Sequence, residues 1–296
     1  MDTFTHALSA LVIFPLPAAD SLLPFAILGA IIPDIDITFR VISRRNPRLY
    51  LFTHGGFTHS FAGGLAVSLL TFLVAWGLAL TGRIPWMEPG PFVPLALVVM
   101  LAGTLLHVLE DYLAYPGIPV LYPFTDRKYT AGIVPGPSLV LFGVSLVFVT
   151  WAALGAVGAS ALGAYAVIFF GFIGASAAVK GYMAVTYPGQ TIPTFNPLRW
   201  LLVDGDGDRL RISEHHLLRG TTATLTVDRF RGITPAEAAA YDDLPEVRAH
   251  RYFSYLSVAE RNGDSVTFSD PLRDRGIIPY PPYARSVTVA SHPAVG

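Results

Sequence analysis

From Tyr129 to Val179 the chain runs without a single Asp, Glu, Lys or Arg. No other feature narrows the possible folds so far. A helix needs about 20 apolar residues to cross a bilayer, so this stretch has room for two crossings. "GAVGASALGA" in its middle reads as a tight turn between two close-packed helices, where small residues suit helix contacts in lipid. The rest of the chain agrees. Charged residues make up 14% of it and mean hydropathy is +0.51, whereas soluble domains carry about 25% charged residues.

Six apolar runs stand out: 4–16, 21–34, 57–80, 92–113, 137–157 and 161–186. The third, fourth and last are long enough to cross with some tilt. The first two are short and punctuated by Pro15, Pro17 and Pro24. The N-terminal "MDTFTHALSALVIFPLP" lacks the basic region and small-residue cleavage site of a signal peptide, so it reads as a retained membrane segment. The expected fold is an α-helical polytopic membrane domain of four to six membrane helices over 1–186. A Pro-rich linker (187–200) and a small, mainly-β soluble domain (201–296) follow.

Charge placement supports that division. Of 41 charged residues, 16 lie in 1–186 and 25 in the last 110. Both parts are near neutral, which gives no argument for nucleic-acid binding. Arg40, Arg44, Arg45 and Arg48 fill the loop 37–53, and Arg127 and Lys128 sit in the loop after the fourth run, against Arg83 alone on the opposite side. The positive-inside rule makes the arginine loops and the C-terminal domain cytoplasmic. In that domain "LLVDGDGDRLRIS" reads as strand, turn, strand. "DGDGD" departs from a calcium loop, with Arg209 where Gly is required and His215 where Glu belongs. "TPAEAAAYDDL" reads as a short helix with Thr234 and Glu237 as a capping box. His215, His216, His250 and His292 are expected at the surface, and Trp76, Trp86, Tyr112 and Trp200 as interfacial anchors.

Laid over the spans, the remaining polar residues fall at one depth. His6 opens the first segment, Asp34 and Asp36 in "PDID" close the second, His54 and His59 in "HGGFTHS" open the third, and His107, Glu110 and Asp111 in "HVLED" close the fourth. His107 and Asp111 are four apart and share a helix face. His54 and His59 converge only if His54 lies in the loop and the helix begins near Thr58. The two glycines permit that bend, and Thr58 or Ser60 caps the start. There is no cysteine, so imidazole and carboxylate donors must hold any ion. They suit zinc, manganese or iron better than calcium, and their number suffices for two ions.

The ordered run of His6, "PDID", "HGGFTHS" and "HVLED" resembles the YdjM-like group of prokaryotic membrane-bound, metal-dependent hydrolases, also described as LexA-regulated inner-membrane hydrolases. The resemblance covers about residues 1–190, and "FNPLRW" looks like a sequence seen after the spans in some members. Ala10 stands where the group often has Gly, and Gly55 where it often has Arg. If that Arg steadies an anionic substrate, Arg40, Arg44, Arg45 or Arg127 takes its place here, or the substrate differs. The group is in turn similar to the zinc-dependent phospholipase C and single-strand nuclease class. That likeness implies His6, Asp34 or Asp36, His54 or His59, His107 and Asp111 as metal ligands, with Asp111 bridging two ions.

The expectation is therefore an inner-membrane hydrolase cleaving a lipid or lipid-linked phosphoester on the cytoplasmic side. Asp36 would orient or deprotonate the water and Glu110 would protonate the leaving group, with Thr58, Ser60 and Arg127 contacting substrate. Two alternatives stand beside it. One is an ion or proton transporter built on the same cluster; the other is a scaffold with a purely structural metal.

Overall fold

A computed structural model describes residues 1–14, 22–43, 45–83, 92–155, 159–282 and 284–291. Arg44, Trp86, His292, Pro15 and Pro17, and part of the turn between the last two apolar runs, lie outside the described residues. The chain divides into two compact units, one of Met1–Val41 and Leu51–Gly181, the other of Ile42–Tyr50 and Tyr182–Gly296.

All six apolar runs form helices. They are α1 (Thr3–Ile13), α2 (Leu23–Ile31), α4 (Phe61–Leu80), α5 (Phe92–Leu113), α6 (Leu139–Ala153) and α7 (Ala159–Thr186), with α3 a single turn at Arg40–Ser43. Three of them, within α4, α5 and α7, are long and apolar enough to cross a membrane. Only 11% of the most apolar window of α7 is buried inside the protein. Val167 and Phe170 on that helix, Leu70 and Val74 on α4, and Val98 on α5 turn outward. So many exposed apolar side chains on these helices suit hydrocarbon and would be an aggregation liability in water.

Two apolar clusters join the helices of the first unit, and α1 also packs against α2. Leu22, Phe25, Ala26, Phe72, Val99 and Met100 join α2, α4 and α5, while Leu8, Leu141, Phe148, Tyr165 and Phe169 join α1, α6 and α7. Glycine sets the closeness of α2 and α5. A Cβ at Gly29 would lie 1.9 Å from the Met100 carbonyl oxygen, and one at Gly103 would lie 2.3 Å from that of Ala26. With backbones this close, Thr104 of α5 donates to the Gly29 carbonyl at 3.1 Å.

Past α2 the chain does not stop at "PDID". It tightens into a 3-10 segment, Ile32–Phe39, carrying both aspartates. The helix of the third apolar run, α4, begins later than Thr58. Phe57–His59 form one 3-10 turn, and Ser60 caps α4 by accepting from Gly63 N at 2.9 Å. The loop after α5 is tied by β1 (Ala114–Tyr115) in parallel pairing with β2 (Val134–Pro135).

The second unit is mainly β. One antiparallel sheet has the order β3 (Gln190–Pro193), β4 (Arg199–Asp206), β5 (Arg209–His216), β6 (Gly220–Asp228). The other runs β10 (Ser286–Ala290), β9 (Ser265–Ser269), β8 (Val258–Asn262), β7 (Phe230–Arg231), with β7 and β8 parallel. The stretch read as a linker therefore supplies a strand. "DGDGD" forms the β4–β5 hairpin, turning at Gly207 with φ +60°. Three helices accompany the sheets, α8 (Pro235–Ala239), α9 (Pro245–Phe253) and α10 (Pro271–Asp274), and α8 carries the Thr234–Glu237 capping box. Three residues expected at a surface or interface are buried here: Trp200, His215 and His250. Tertiary packing covers them. Tyr187 OH meets the His215 ring at 3.2 Å, and His250 Nδ1 donates to the Ala284 carbonyl at 3.0 Å.

Candidate metal centre

The site assembles from four short pieces of the first unit. His6 sits on the second turn of α1, Asp34 and Asp36 on the 3-10 segment, His59 on the turn before α4, and His107, Glu110 and Asp111 on the last two turns of α5. His107 reaches the centre because α2 and α5 touch: its Nδ1 donates to the Ala30 carbonyl at 2.7 Å. The other rings are fixed the same way. His6 Nδ1 donates to Glu110 Oε2 at 2.6 Å, and His59 Nδ1 lies 3.0 Å from Asp36 Oδ2. Thr58 donates to the same Asp36 oxygen, and Thr3 donates to Asp34 Oδ2 at 2.6 Å.

With each Nδ1 occupied, each Nε2 points inward. His6 Nε2, His59 Nε2, His107 Nε2 and Asp34 Oδ1 are buried and have no hydrogen-bond partner. Buried polar groups are rarely left unpaired, because desolvation without compensation is costly. Here the unpaired atoms face one another. His59 Nε2 is 3.5 Å from Asp34 Oδ1 and 3.2 Å from Asp111 Oδ2, and His107 Nε2 is 3.7 Å from each of the same oxygens. Four ligands arranged tetrahedrally at about 2.1 Å from zinc stand about 3.4 Å apart. These four histidine–aspartate separations are of the size expected of ligands sharing one ion, and Asp34, His59 and His107 form one such donor set. On the far side of Asp111, Oδ1 lies 3.4 Å from His6 Nε2, and the Met1 amino group lies against it.

Three sets of donors have atoms mutually within 4.8 Å: His6, His107 and Asp111; Asp34, His59 and His107; Asp36, His54 and His59. These are groups that could hold a metal ion, and the donor chemistry, nitrogen and carboxylate oxygen without sulfur, fits zinc, manganese or iron.

Every histidine and acid singled out in the first unit is thus brought together, but with different duties. Glu110 faces His6, and both Asp36 oxygens face imidazoles or Thr58, since His54 Nδ1 lies 3.2 Å from Asp36 Oδ1. Both carboxylates contact imidazole rings, and Asp36 also belongs, with His54 and His59, to one of the sets that could hold a metal ion. Ser60 is a helix cap. Arg127 stacks over Tyr129 at 5.6 Å, and no contact of its side chain with the cluster is seen among the described residues. Sequence reasoning missed the Ala30 carbonyl, Thr3 and the two helix-contact glycines. A backbone acceptor leaves no residue signature, whereas Gly29 and Gly103, each within an apolar helix, are a visible cue.

Fold and cluster define a class: a multi-helix membrane protein with a buried His/Asp site able to hold a metal ion. Within it, the chain belongs to the YdjM inner membrane protein family, whose pattern matches residues 1–184. It is 34% identical over 120 residues to Inner membrane protein YdjM of Escherichia coli (strain K12), and equally to that of Shigella flexneri. In each case the match covers 38% of this chain and 55% of the relative. The chain spans about half the length of the curated relatives it matches. No solved structure matches.

Proposed function

We propose that this protein is an integral-membrane, metal-dependent hydrolase that cleaves a phosphoester of a lipid or lipid-linked substrate at the cytoplasmic face of the inner membrane. The observation that carries the reading is the convergence of three unpaired, buried imidazole nitrogens with the unpaired Asp34 Oδ1 and with Asp111, at separations that suit a shared ion. Asp34, His59, His107 and Asp111 would hold one ion, and His6 with the second Asp111 oxygen would hold another. Bound there, zinc or manganese supplies Lewis acidity, bringing a water's pKa toward neutrality and stabilising charge on a phosphoryl oxygen.

The chain's own residues supply orientation and proton handling. Glu110 and the Ala30 carbonyl fix the tautomers of His6 and His107, so that Nε2 carries the lone pair. His54 is the most exposed imidazole of the cluster, with 26% of its side chain open, and Asp36 holds its Nδ1. A carboxylate-oriented imidazole with a free Nε2 is suited to deliver a proton to the leaving alkoxide. His54 therefore joins Glu110, one of whose oxygens faces His6, as a group that would protonate the leaving alkoxide.

The test is hydrolysis by untagged protein in proteoliposomes containing phospholipids and lipid phosphates, read as released phosphate or headgroup. Activity is expected to disappear with a chelator, to return with zinc or manganese, and to be absent from a folded His107→Ala variant. Metal-loaded protein that hydrolyses nothing in the panel but carries ions across the vesicle wall would replace the enzyme with a transporter. Loss of folding in His107→Ala, with no hydrolysis by the wild type, would favour a structural metal.

A further inference from the structure

Exposure within the cluster is uneven. The side chains of His6, Asp36, His59 and His107 are fully covered and that of Asp111 is 8% open, whereas Asp34 is 11% and His54 26% open. The way in is therefore at Asp34 and His54. Thr3 lies against Asp34 there, but a set of aromatic residues stands close to both residues along the chain. Phe52 lies two residues before His54, Phe57 three after it and Phe39 three after Asp36, and their rings form one group with centroids 4.9–6.5 Å apart. Phe52 is exposed, and Ile37 beside the aspartates and Val41 on the next helical turn are more than 60% open.

An aromatic group beside a charged, half-open site is an odd neighbour for a water-soluble phosphoester. It gives such a ligand nothing to bind and leaves apolar surface uncovered. The same surface suits an alkyl chain, since burying a chain costs nothing in polar contacts and gains about 0.8 kcal/mol per methylene. The same unit also carries three helices long and apolar enough to cross a membrane, with exposed apolar side chains on them.

Resting on the hydrolase reading above, we infer that Phe39, Phe52 and Phe57 form the subsite for the hydrocarbon chain of the substrate, which enters sideways from the leaflet with its phosphate toward Asp34 and His54. The substrate class is accordingly a chain-bearing phosphoester, and the aromatic group sets the preference for it over a chainless one.

A dodecylphosphonate carrying a mid-chain diazirine tests this on the full-length, zinc-loaded protein in nanodiscs, with adducts mapped by peptide mass spectrometry. Zinc-dependent labelling of residues 37–41 and 51–57 is expected, displaced by unlabelled dodecylphosphonate and far less by methylphosphonate. Phe52→Ser, at an exposed position, is expected to weaken dodecylphosphonate binding roughly tenfold, as loss of much of one buried aromatic contact implies, and to leave methylphosphonate binding unchanged. Zinc-dependent labelling confined to other segments, or Phe52→Ser weakening both phosphonates equally, would overturn the chain subsite while leaving the metal site standing. Absence of any zinc-dependent binding by either phosphonate would overturn both readings.

Discussion

Replacing Gly29 by alanine adds one methyl group to α2, ten residues or more from most of the metal-site side chains in sequence, yet it should empty the site. The added Cβ would meet the Met100 carbonyl oxygen at 1.9 Å and its carbonyl carbon at 2.8 Å. Non-bonded carbon–oxygen contacts settle near 3.3 Å, so α2 and α5 must part by roughly 1 Å or more. Neither side of the contact is a flexible side-chain tip; both are helix backbone. The separation would stretch the Thr104–Gly29 bond from 3.1 Å and the His107–Ala30 bond from 2.7 Å, and carry His107 away from Asp34. Metal sites tolerate about ±0.2 Å in ligand distance, so a displacement several times larger should lower affinity at least 10–100-fold, the usual cost of losing an outer partner of a ligand. Overpacking also costs about 1–3 kcal/mol of stability. The assay is zinc retention during dialysis against a graded chelator, with thermal unfolding on the same samples. Gly77→Ala is the control, because a Cβ there meets nothing within 4 Å. Wild-type zinc affinity and melting temperature in Gly29→Ala would refute the argument that close helix contact positions the ligands.

Other consequences follow from particular residues. Glu110→Gln keeps the shape of the His6 partner but removes its charge, and zinc affinity should fall about 10–100-fold with the fold intact; unchanged chelator competition would show that Glu110 does not serve His6. Thr234→Ala removes the α8 cap and should cost about 1 kcal/mol of C-terminal stability, seen as faster hydrogen exchange over 234–241. Burial holds the His250 imidazole down to about 4, against the Ala284 hydrogen bond that favours the charged form. The unfolded chain, titrating near 6.5, then takes up the proton first as pH falls. Stability present above about 6.5 should therefore be lost between 6.5 and 4, by up to roughly 3 kcal/mol. Hydrogen exchange of Pro245–Phe253 at pH 7.5 and pH 5, corrected for intrinsic rates, checks this, and equal protection would contradict it.

The membrane helices were legible because their signal is local: an apolar run of sufficient length declares itself wherever it packs. Their ends were less so. "HGGFTHS" was read as a helix start near Thr58, but Gly56 and Gly63 accept close approaches of carbonyls that only a turn can supply, so α4 waits until Phe61. The membership of the cluster could be read from depth and order along the chain. The division of labour within it could not, because which nitrogen of His6 or His107 faces inward depends on Glu110 Oε2 and the Ala30 carbonyl, contacts across 104 and 77 residues. The second unit hid most. Nothing in "QTIP" announces β3, and burial of Trp200, His215 and His250 follows from neighbours far along the chain. Nor does the arginine-rich loop announce that Ile42–Tyr50 belongs with that unit, where Tyr50 packs on Tyr252 at 5.2 Å and under Arg248.

Whether the gathered imidazoles and aspartates take up a metal is the question beneath all the rest, and elemental analysis after equilibrium dialysis answers it directly. Untagged, detergent-solubilised protein dialysed against micromolar zinc or manganese should retain one to two equivalents, and the His59→Ala/His107→Ala variant should retain almost none. Equal retention by the two proteins, or none by a folded wild type with full hydrolytic activity, would contradict the account.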